Sequence, residues 1–324
     1  MTKHDDSRLS SDIVAGQIIK AHSGFFTVRN HIENGLTTCQ AAGRLTRHRH
    51  KEDVLAVGDN VHYELIKTEG FVEGRIVDVL PRTRILGRKD PIVGTNAREI
   101  KQVIVANLDI VVFVFSCSDP EFKPRMLDRY LVGAEAQALP ILICATKIDL
   151  VGIETAQRLF ADYTKIGYDI IYLSTNLGIG IEELKIALHG KLSVLTGKSG
   201  VGKTSLLNAL KPGLGREVGL LSELLKKGKH TTVVPELLQL DEASWVADTP
   251  GLRAYAIWDV EAEELDAYYR EIRPLVTRCV FSDCSHTHEP GCAVRDAVEN
   301  GHISPERYDS YCRLREELSR QKRW

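Results

Sequence analysis

The sequence has no long apolar run, no excess of charge of either sign and no repeated or low-complexity segment. Its longest hydrophobic stretches, such as Ile110–Phe115, fall far short of the roughly 20 residues that span a bilayer, so no membrane partner is expected. Met1 to Ser11 is polar and mixed in charge, without the apolar h-region of a secretory signal, and a cytoplasmic location is the expectation. With 42 Lys+Arg against 44 Asp+Glu the formal charge is -2, which excludes bulk electrostatic attraction to a polyanion. Any nucleic-acid contact must then be local, and the candidate patches are the basic runs Arg44–Lys51 and Arg320–Arg323. Seven cysteines, an odd number with three packed between Cys279 and Cys292, speak against a disulfide framework and for metal ligands in a reducing compartment.

A length of 324 residues is enough for two or three domains. Hydrophobic content of 43% beside 27% charged residues is that of a folded chain. From Ile13 to Leu80 the pattern predicts short strands at Ile13–Ile19, Phe25–Arg29, Thr37–Leu45, Asn60–Ile66 and Arg75–Leu80, which suits a small β-barrel of the oligonucleotide-binding type. Residues 81–101, with Pro81, Pro91 and Gly94 and no periodicity, read as a linker. Buried strands at Ile110–Ser116, Ile141–Thr146, Ile170–Ser174 and Leu192–Thr196 then alternate with helices at Arg125–Leu139, Glu154–Lys165, Ile181–His189 and Lys203–Leu210, the pattern of a parallel α/β sheet over 102–257. Residues 258–324 read as a helical end interrupted by the Cys/His cluster, with Ser304 as N-cap and Pro305 opening the last helix.

Gly197-Lys198-Ser199-Gly200-Val201-Gly202-Lys203-Thr204, followed by Ser205, is a complete G-x-x-x-x-G-K-[ST] between a predicted strand and helix. Small residues let successive N–H groups wrap phosphates, Lys203 reaches the β- and γ-phosphates, and the Thr204 hydroxyl ligates Mg²⁺. Asp248-Thr249-Pro250-Gly251 follows an apolar strand, so that Asp248 holds Mg²⁺ through water and the Gly251 N–H senses the γ-phosphate. Thr146-Lys147-Ile148-Asp149 selects the base, because a carboxylate accepts from guanine N1–H and its exocyclic amine while adenine lacks that donor pair. Ser174-Thr175-Asn176 lies at the end of the next strand, where its backbone N–H groups face the base oxygen. Thr146, Lys147, Asp149 and Ser174 precede the phosphate loop in the chain, the reverse of the ordinary GTPase order, so the domain reads as circularly permuted.

These features resemble the RsgA family of circularly permuted GTPases. The resemblance is carried by Leu127-Asp128-Arg129-Tyr130-Leu131, Thr146–Leu150, Gly197–Ser205, Gly228-Lys229-His230-Thr231-Thr232, Asp248–Leu252, Asp283-Cys284-Ser285-His286 and Glu289-Pro290-Gly291-Cys292, and it spans nearly the whole chain. It implies an N-terminal OB-type barrel, a central permuted P-loop GTPase and a C-terminal zinc-binding helical domain. It also implies GTP hydrolysis in late assembly of the small ribosomal subunit, stimulated by that particle and its rRNA, with GTP and GDP as ligands and a monomeric chain. Two positions depart from the family: Thr146 stands where Asn is usual, with one donor where an amide has two, and Lys198 stands where Gln is usual.

Position 252, where Ras-like proteins carry the water-orienting glutamine, is leucine, so intrinsic hydrolysis should be slow. Thr231 or Thr232 as a Mg²⁺ ligand beside the γ-phosphate and His230 near the attacking water are the candidates for completing the site, and the resemblance also points to His230. Cys279-x₄-Cys284-x-His286-x₅-Cys292 supplies three thiolates and an imidazole, a closed tetrahedral set for one structural Zn²⁺. His288 competes with His286 on spacing alone, and the resemblance favours His286. Two other classes stay open on the sequence: an RNA-binding module or chaperone whose nucleotide only modulates affinity, and an ATPase or kinase, which the tetrad opposes.

Overall fold

The structure is a computed structural model that describes residues 13–33, 35–43, 45, 55–68, 71–89, 101–215, 236–248 and 260–321. They fall into two compact units, one within 1–107 together with 234–238, the other within 108–233 together with 239–324.

In the first unit, β1 (Ile13–His22), β2 (Phe25–Asn30), β3 (Leu36–Ala41), β4 (Asn60–Thr68) and β5 (Phe71–Val79) close on themselves in the order β1-β2-β3-β5-β4-β1. Only β3 and β5 run parallel, and β1 completes the ring by pairing with both β2 and β4. A closed ring leaves no free edge, and alternate residues such as Ile18, Val28, Cys39, Val61, Tyr63 and Ile76 fill its interior. The OB-type barrel read from the sequence is therefore present, although β3 stops at Ala41 rather than Leu45 and β5 begins at Phe71 rather than Arg75.

The stretch read as a linker contains β6 (Ile85–Lys89), paired antiparallel with β7 (Lys101–Ala106). Register slips between Leu86 and Gly87, so the strand never shows the strict alternation that would announce it. Asn107 ties this ribbon to the barrel: its amide donates to the Gly58 carbonyl at 3.0 Å and its oxygen accepts from the Thr83 N–H at 2.9 Å. Asp59, fully buried, accepts two bonds from Arg82 at 2.7 and 2.8 Å and one from the Ala56 N–H at 2.8 Å.

The second unit is a parallel sheet in the order β10 (Asp169–Leu173), β9 (Ile141–Thr146), β8 (Ile110–Ser116), β11 (Leu192–Thr196), β13 (Trp245–Asp248). β12 (Glu236–Gln239) precedes β13 in the chain. Residues of β8 and β9 are buried along their whole length, as strands covered on both faces must be, each large side chain contributing roughly 1.5–3 kcal/mol. The helices are α1 (Pro124–Ala136), α2 (Ile153–Leu159), α3 (Ala161–Lys165), α4 (Ile181–Leu188) and α5 (Lys203–Leu210). The single helix expected over 154–165 is divided at Phe160, whose buried ring lies 4.3 Å from that of Phe122.

Beyond Val260 come two 3₁₀ segments, Ala262–Tyr268 and Arg273–Arg278, then α6 (Ala293–Glu299) and α7 (Pro305–Gln321). α7 begins at Pro305 as its sequence predicts, but the Ser304 hydroxyl donates to the Glu306 carboxylate at 2.9 Å. This end packs on α1: Val132 shares one apolar cluster with Leu265, Tyr269, Ile272, Tyr311, Leu314 and Leu318. Among the described residues no helix is long and apolar enough to cross a membrane.

Candidate functional site

The carboxyl ends of β9, β10, β11 and β13 open on one edge of the parallel sheet, where ligands of such sheets bind. From β11 the chain turns at Gly197 with φ +156°, and a Cβ there would lie 2.2 Å from the Val114 carbonyl oxygen. Only glycine lets the loop pass this close to β8. Lys198, Ser199 and Gly200 are exposed, whereas Val201 is buried and anchors the loop in the core. Gly202, left-handed at φ +99°, caps α5, with its carbonyl accepting from the Leu206 N–H at 2.8 Å. Lys203, the first helical residue, donates from Nζ to the carbonyls of Gly197 at 2.5 Å and Lys198 at 2.8 Å, so its ammonium lies against the loop. Thr204 and Ser205 are exposed beside it.

The tetrad at the end of β9 divides its work. Thr146 is buried, and its hydroxyl lies 2.6 Å from the Val201 carbonyl and 3.1 Å from that of Phe115. Its one proton is thus committed to the backbone of the phosphate loop and of β8, not to a base. Lys147 takes the left-handed conformation at φ +61°, and its Nζ donates to the Asp119 carbonyl. Asp149, in the 3₁₀ turn Ile148–Leu150, accepts from Ser174 Oγ at 2.7 Å and from Asn176 Nδ2 at 3.1 Å. Those two bonds, Ser174 first, hold its carboxyl below the usual carboxylate range, so it remains a pure acceptor at neutral pH. Ser174 is itself buried and its Oγ accepts from the Leu177 N–H at 3.2 Å.

Asp248 closes β13, whose Ala247 is in register with Val194 of β11, so its backbone reaches the same edge of the sheet. Gly251, Leu252, His230, Thr231 and Thr232 lie outside the described residues, as does most of the Arg44–Lys51 run.

In the C-terminal part of the chain the ligand atoms of Cys279, Cys284, His286 and Cys292 all lie within 4.8 Å of one another. His286 Nδ1 is 3.5 Å from Cys279 Sγ and 3.4 Å from Cys292 Sγ, close to the ~3.5 Å edge of a tetrahedron with metal–sulfur bonds of about 2.3 Å and metal–nitrogen bonds of about 2.0 Å. The other ring nitrogen, Nε2, lies 3.2 Å from Asp266 Oδ2, which fixes Nδ1 as the free ligand. Burial, with the neighbouring thiols, pushes the Cys284 thiol up to about 12, so a thiolate there calls for a cation. The donor set fits one tetrahedral metal ion. His286 is fully buried and held at φ +60°, whereas the His288 side chain is 83% exposed; this decides between the two histidines. The turn is fastened by Glu289, which accepts from the Ser285 N–H at 2.9 Å, Ser285 Oγ at 2.5 Å and the Thr287 N–H at 3.2 Å. Burial opposes ionisation of Glu289, but these bonds outweigh it and hold its carboxyl well below the ordinary range.

A buried ion cluster joins α1 to α7. Arg307 of α7 is 4% exposed; its Nη1 donates to Asp128 Oδ1 of α1 and its Nε to Glu271 Oε1 at 2.7 Å. Burial alone would lower its pKa, yet the Asp128 and Glu271 carboxylates hold it well above the ordinary value, so it is a permanent cation. Tyr163 adds an O–H to Asp128 at 2.7 Å, and Arg129 forks onto Glu317 at 2.6 and 2.8 Å.

Comparison with known proteins places the chain. The RsgA GTPase family profile matches residues 79–258, and the RsgA N-terminal domain profile matches 15–72. The chain belongs to the RsgA GTPase family. A relative from Gemmatimonas aurantiaca, named small ribosomal subunit biogenesis GTPase RsgA, is 45% identical over 85% of this chain and 88% of its own length. One of the same name from Halalkalibacterium halodurans is 38% identical over 94% and 97%. Among solved structures, YjeQ from Thermotoga maritima superposes with a TM-score of 0.76 at 34% identity, over 94% of this chain and 98% of that one. YloQ, described as a circularly permuted GTPase, gives 0.71 at 30% identity over 99% of both chains. Family membership makes the chain a permuted GTPase, in agreement with its reversed motif order. Sequence reasoning missed Asp266 and Asn176 as partners of His286 and Asp149, because neither lies at a fixed spacing from the residue it serves. It also missed the Asp128–Arg307–Glu271 cluster, whose members lie far apart in the chain.

Proposed function

We propose that this chain hydrolyses GTP as a late-stage assembly and maturation factor of the small ribosomal subunit, with turnover stimulated by that particle. The observation that carries the reading is the gathering of base tetrad, phosphate loop and β13 aspartate at one edge of one sheet despite their permuted order. In this reading the N–H groups of Gly197, Lys198, Ser199, Gly200, Val201 and Gly202 wrap the phosphates, with Ser205 beside them, and Lys203 swings from its carbonyls to the β/γ oxygens. Asp149 receives guanine N1–H and the exocyclic amine, flanked by Lys147 and Ser174. Thr146 serves by tying β9 to the phosphate loop. Thr204, and Asp248 through water, would hold Mg²⁺, which would supply positive charge against the β- and γ-phosphate oxygens. Gly251 reports the γ-phosphate, and Thr231, Thr232 and His230 complete the site around the attacking water.

The printed name of the relatives, small ribosomal subunit biogenesis GTPase, supports the choice of particle. Cys279, Cys284, His286 and Cys292 hold one structural Zn²⁺, with all four positions filled by protein and none left for chemistry. In chain order the barrel (1–80) comes first, then 81–101, the GTPase domain (102–257) and the zinc-bearing end (258–324). They contact rRNA by local patches, and the chain works as a cytoplasmic monomer.

The test is a competition of GTP against ATP, together with Lys203→Ala in a subunit-maturation assay. GTP preference and loss of maturation are expected. A variant that binds particles and still completes maturation would establish the binding-module reading instead.

A further inference from the structure

Asp149 carries the guanine reading, and it must hold its carboxylate steady enough on a half-buried turn to read two donors at once. An ionised carboxylate offers about four lone-pair sites, two on each oxygen. Ser174 Oγ fills one on Oδ1 and Asn176 Nδ2 fills one on Oδ2. One acceptor site is left on each oxygen, matching the two parallel donors of a guanine edge.

The two holders differ in kind. Ser174 is buried, and its hydroxyl rotor is set because Oγ accepts the Leu177 N–H and must direct its proton to Asp149. One such bond leaves the carboxylate plane free to turn about the held oxygen. Asn176, exposed, adds a second point on the opposite oxygen and fixes the plane. Its own backbone is placed by a closed turn, since Ser174 and Ile179 exchange N–H···O bonds at 3.1 and 3.0 Å. The carboxamide orientation follows from chemistry: a carboxylate facing it accepts only from Nδ2.

We propose that Asn176 is a specificity-determining positioning residue for the purine base: it fixes the Asp149 carboxylate plane so that both oxygens meet a two-donor edge, and thereby favours guanine over hypoxanthine. The proposal rests on the reading of Asp149 as the guanine acceptor. A base with N1–H alone uses one oxygen and gains little from a fixed plane, whereas guanine uses both.

The experiment is equilibrium competition of GTP, ITP, XTP and ATP against a fluorescent GDP analogue, on the full chain. Asn176→Ala is expected to weaken GTP about fivefold and ITP less than twofold, lowering the GTP/ITP preference. Asn176→Asp, nearly isosteric but without the donor and with a second negative charge, should weaken GTP more than alanine does. A side chain that merely fills space would give the opposite order. An unchanged GTP/ITP ratio in both variants, or an aspartate tolerated better than alanine, overturns the proposal. The underlying reading is tested separately: wild-type protein should prefer GTP to ATP, and Asp149→Asn should move preference toward XTP, whose C2 oxygen needs a donor. If wild type does not prefer GTP, or Asp149→Asn does not move toward XTP, the guanine reading itself fails, whatever Asn176 does.

Discussion

At the strand-end edge Lys198, Ser199, Thr204 and Ser205 stand exposed, and Lys203 rests its ammonium on backbone carbonyls at 2.5 and 2.8 Å. At the α1–α7 junction of the same unit Arg307 is 4% exposed and faces two carboxylates, while at the metal centre a fully buried imidazole stands between thiols and a carboxylate. The first region keeps hydrogen-bonding capacity available to a ligand, and the second closes it among protein groups. Charge at the first therefore serves binding with little consequence for folding, and charge at the second serves folding, because an uncompensated buried ion is costly. Asp149 stands between these cases, with one protein side-chain donor on each oxygen and a position that is neither buried nor fully exposed.

The comparison breaks most visibly at the metal. Chelation should loosen residues 260–321, because the turn that gathers three thiols and an imidazole loses the ion that holds it, a contribution of about 10–16 kcal/mol in small zinc modules. Hydrogen exchange should show protection lost in α6 and α7 and weakened in α1, with β8, β9 and β11 still protected. Stoichiometric zinc in freshly purified protein is the companion expectation, and uniform protection after complete metal removal would count against a structural ion.

Next in size is Arg307→Ala, which strands Asp128 and Glu271 in the interior and should cost about 3–5 kcal/mol in denaturant unfolding. By contrast Lys203→Ala, which removes a charge at the open edge, should abolish nucleotide turnover while shifting stability by no more than about 0.5 kcal/mol. If the two variants destabilised the fold equally, the contrast between the regions would be false. Arg129→Ala should likewise cost only roughly 0.2–1 kcal/mol despite its forked bond to Glu317, because that pair is partly exposed. A double-mutant cycle with Glu317→Ala measures the coupling directly.

The same contrast governs what could be read in the amino-acid order. The open edge was legible, because a phosphate cradle needs small residues, a lysine and a hydroxyl at fixed spacing along one turn, and Gly197–Ser205 shows them contiguously. The Cys/His cluster was legible for the same reason, since Cys279, Cys284, His286 and Cys292 come together, and so were the ends of β8, β9 and β11. The junction was not, because Asp128, Glu271 and Arg307 meet only after the chain has folded, and each alone looks like a surface charge. Asp266, twenty residues before His286, and Asn176, 27 residues after Asp149 at the end of the neighbouring strand, escape for that reason too. The β6–β7 ribbon escaped for a local one: its bulge at Leu86/Gly87 removes the alternation by which strands are recognised. Thr146 was placed correctly at the strand end, but only the structure reveals that its hydroxyl faces the phosphate loop.

The central claim is that an open nucleotide edge, lacking a water-orienting glutamine at position 252, is completed by the particle it serves. GTP hydrolysis by the purified chain, measured with and without small ribosomal subunits, tests it most directly. The account predicts slow turnover alone and stimulation of about 10³–10⁵-fold by the particle, the scale on which a partner-supplied group acts. Turnover that is already fast in isolation and unchanged by saturating subunits would contradict it.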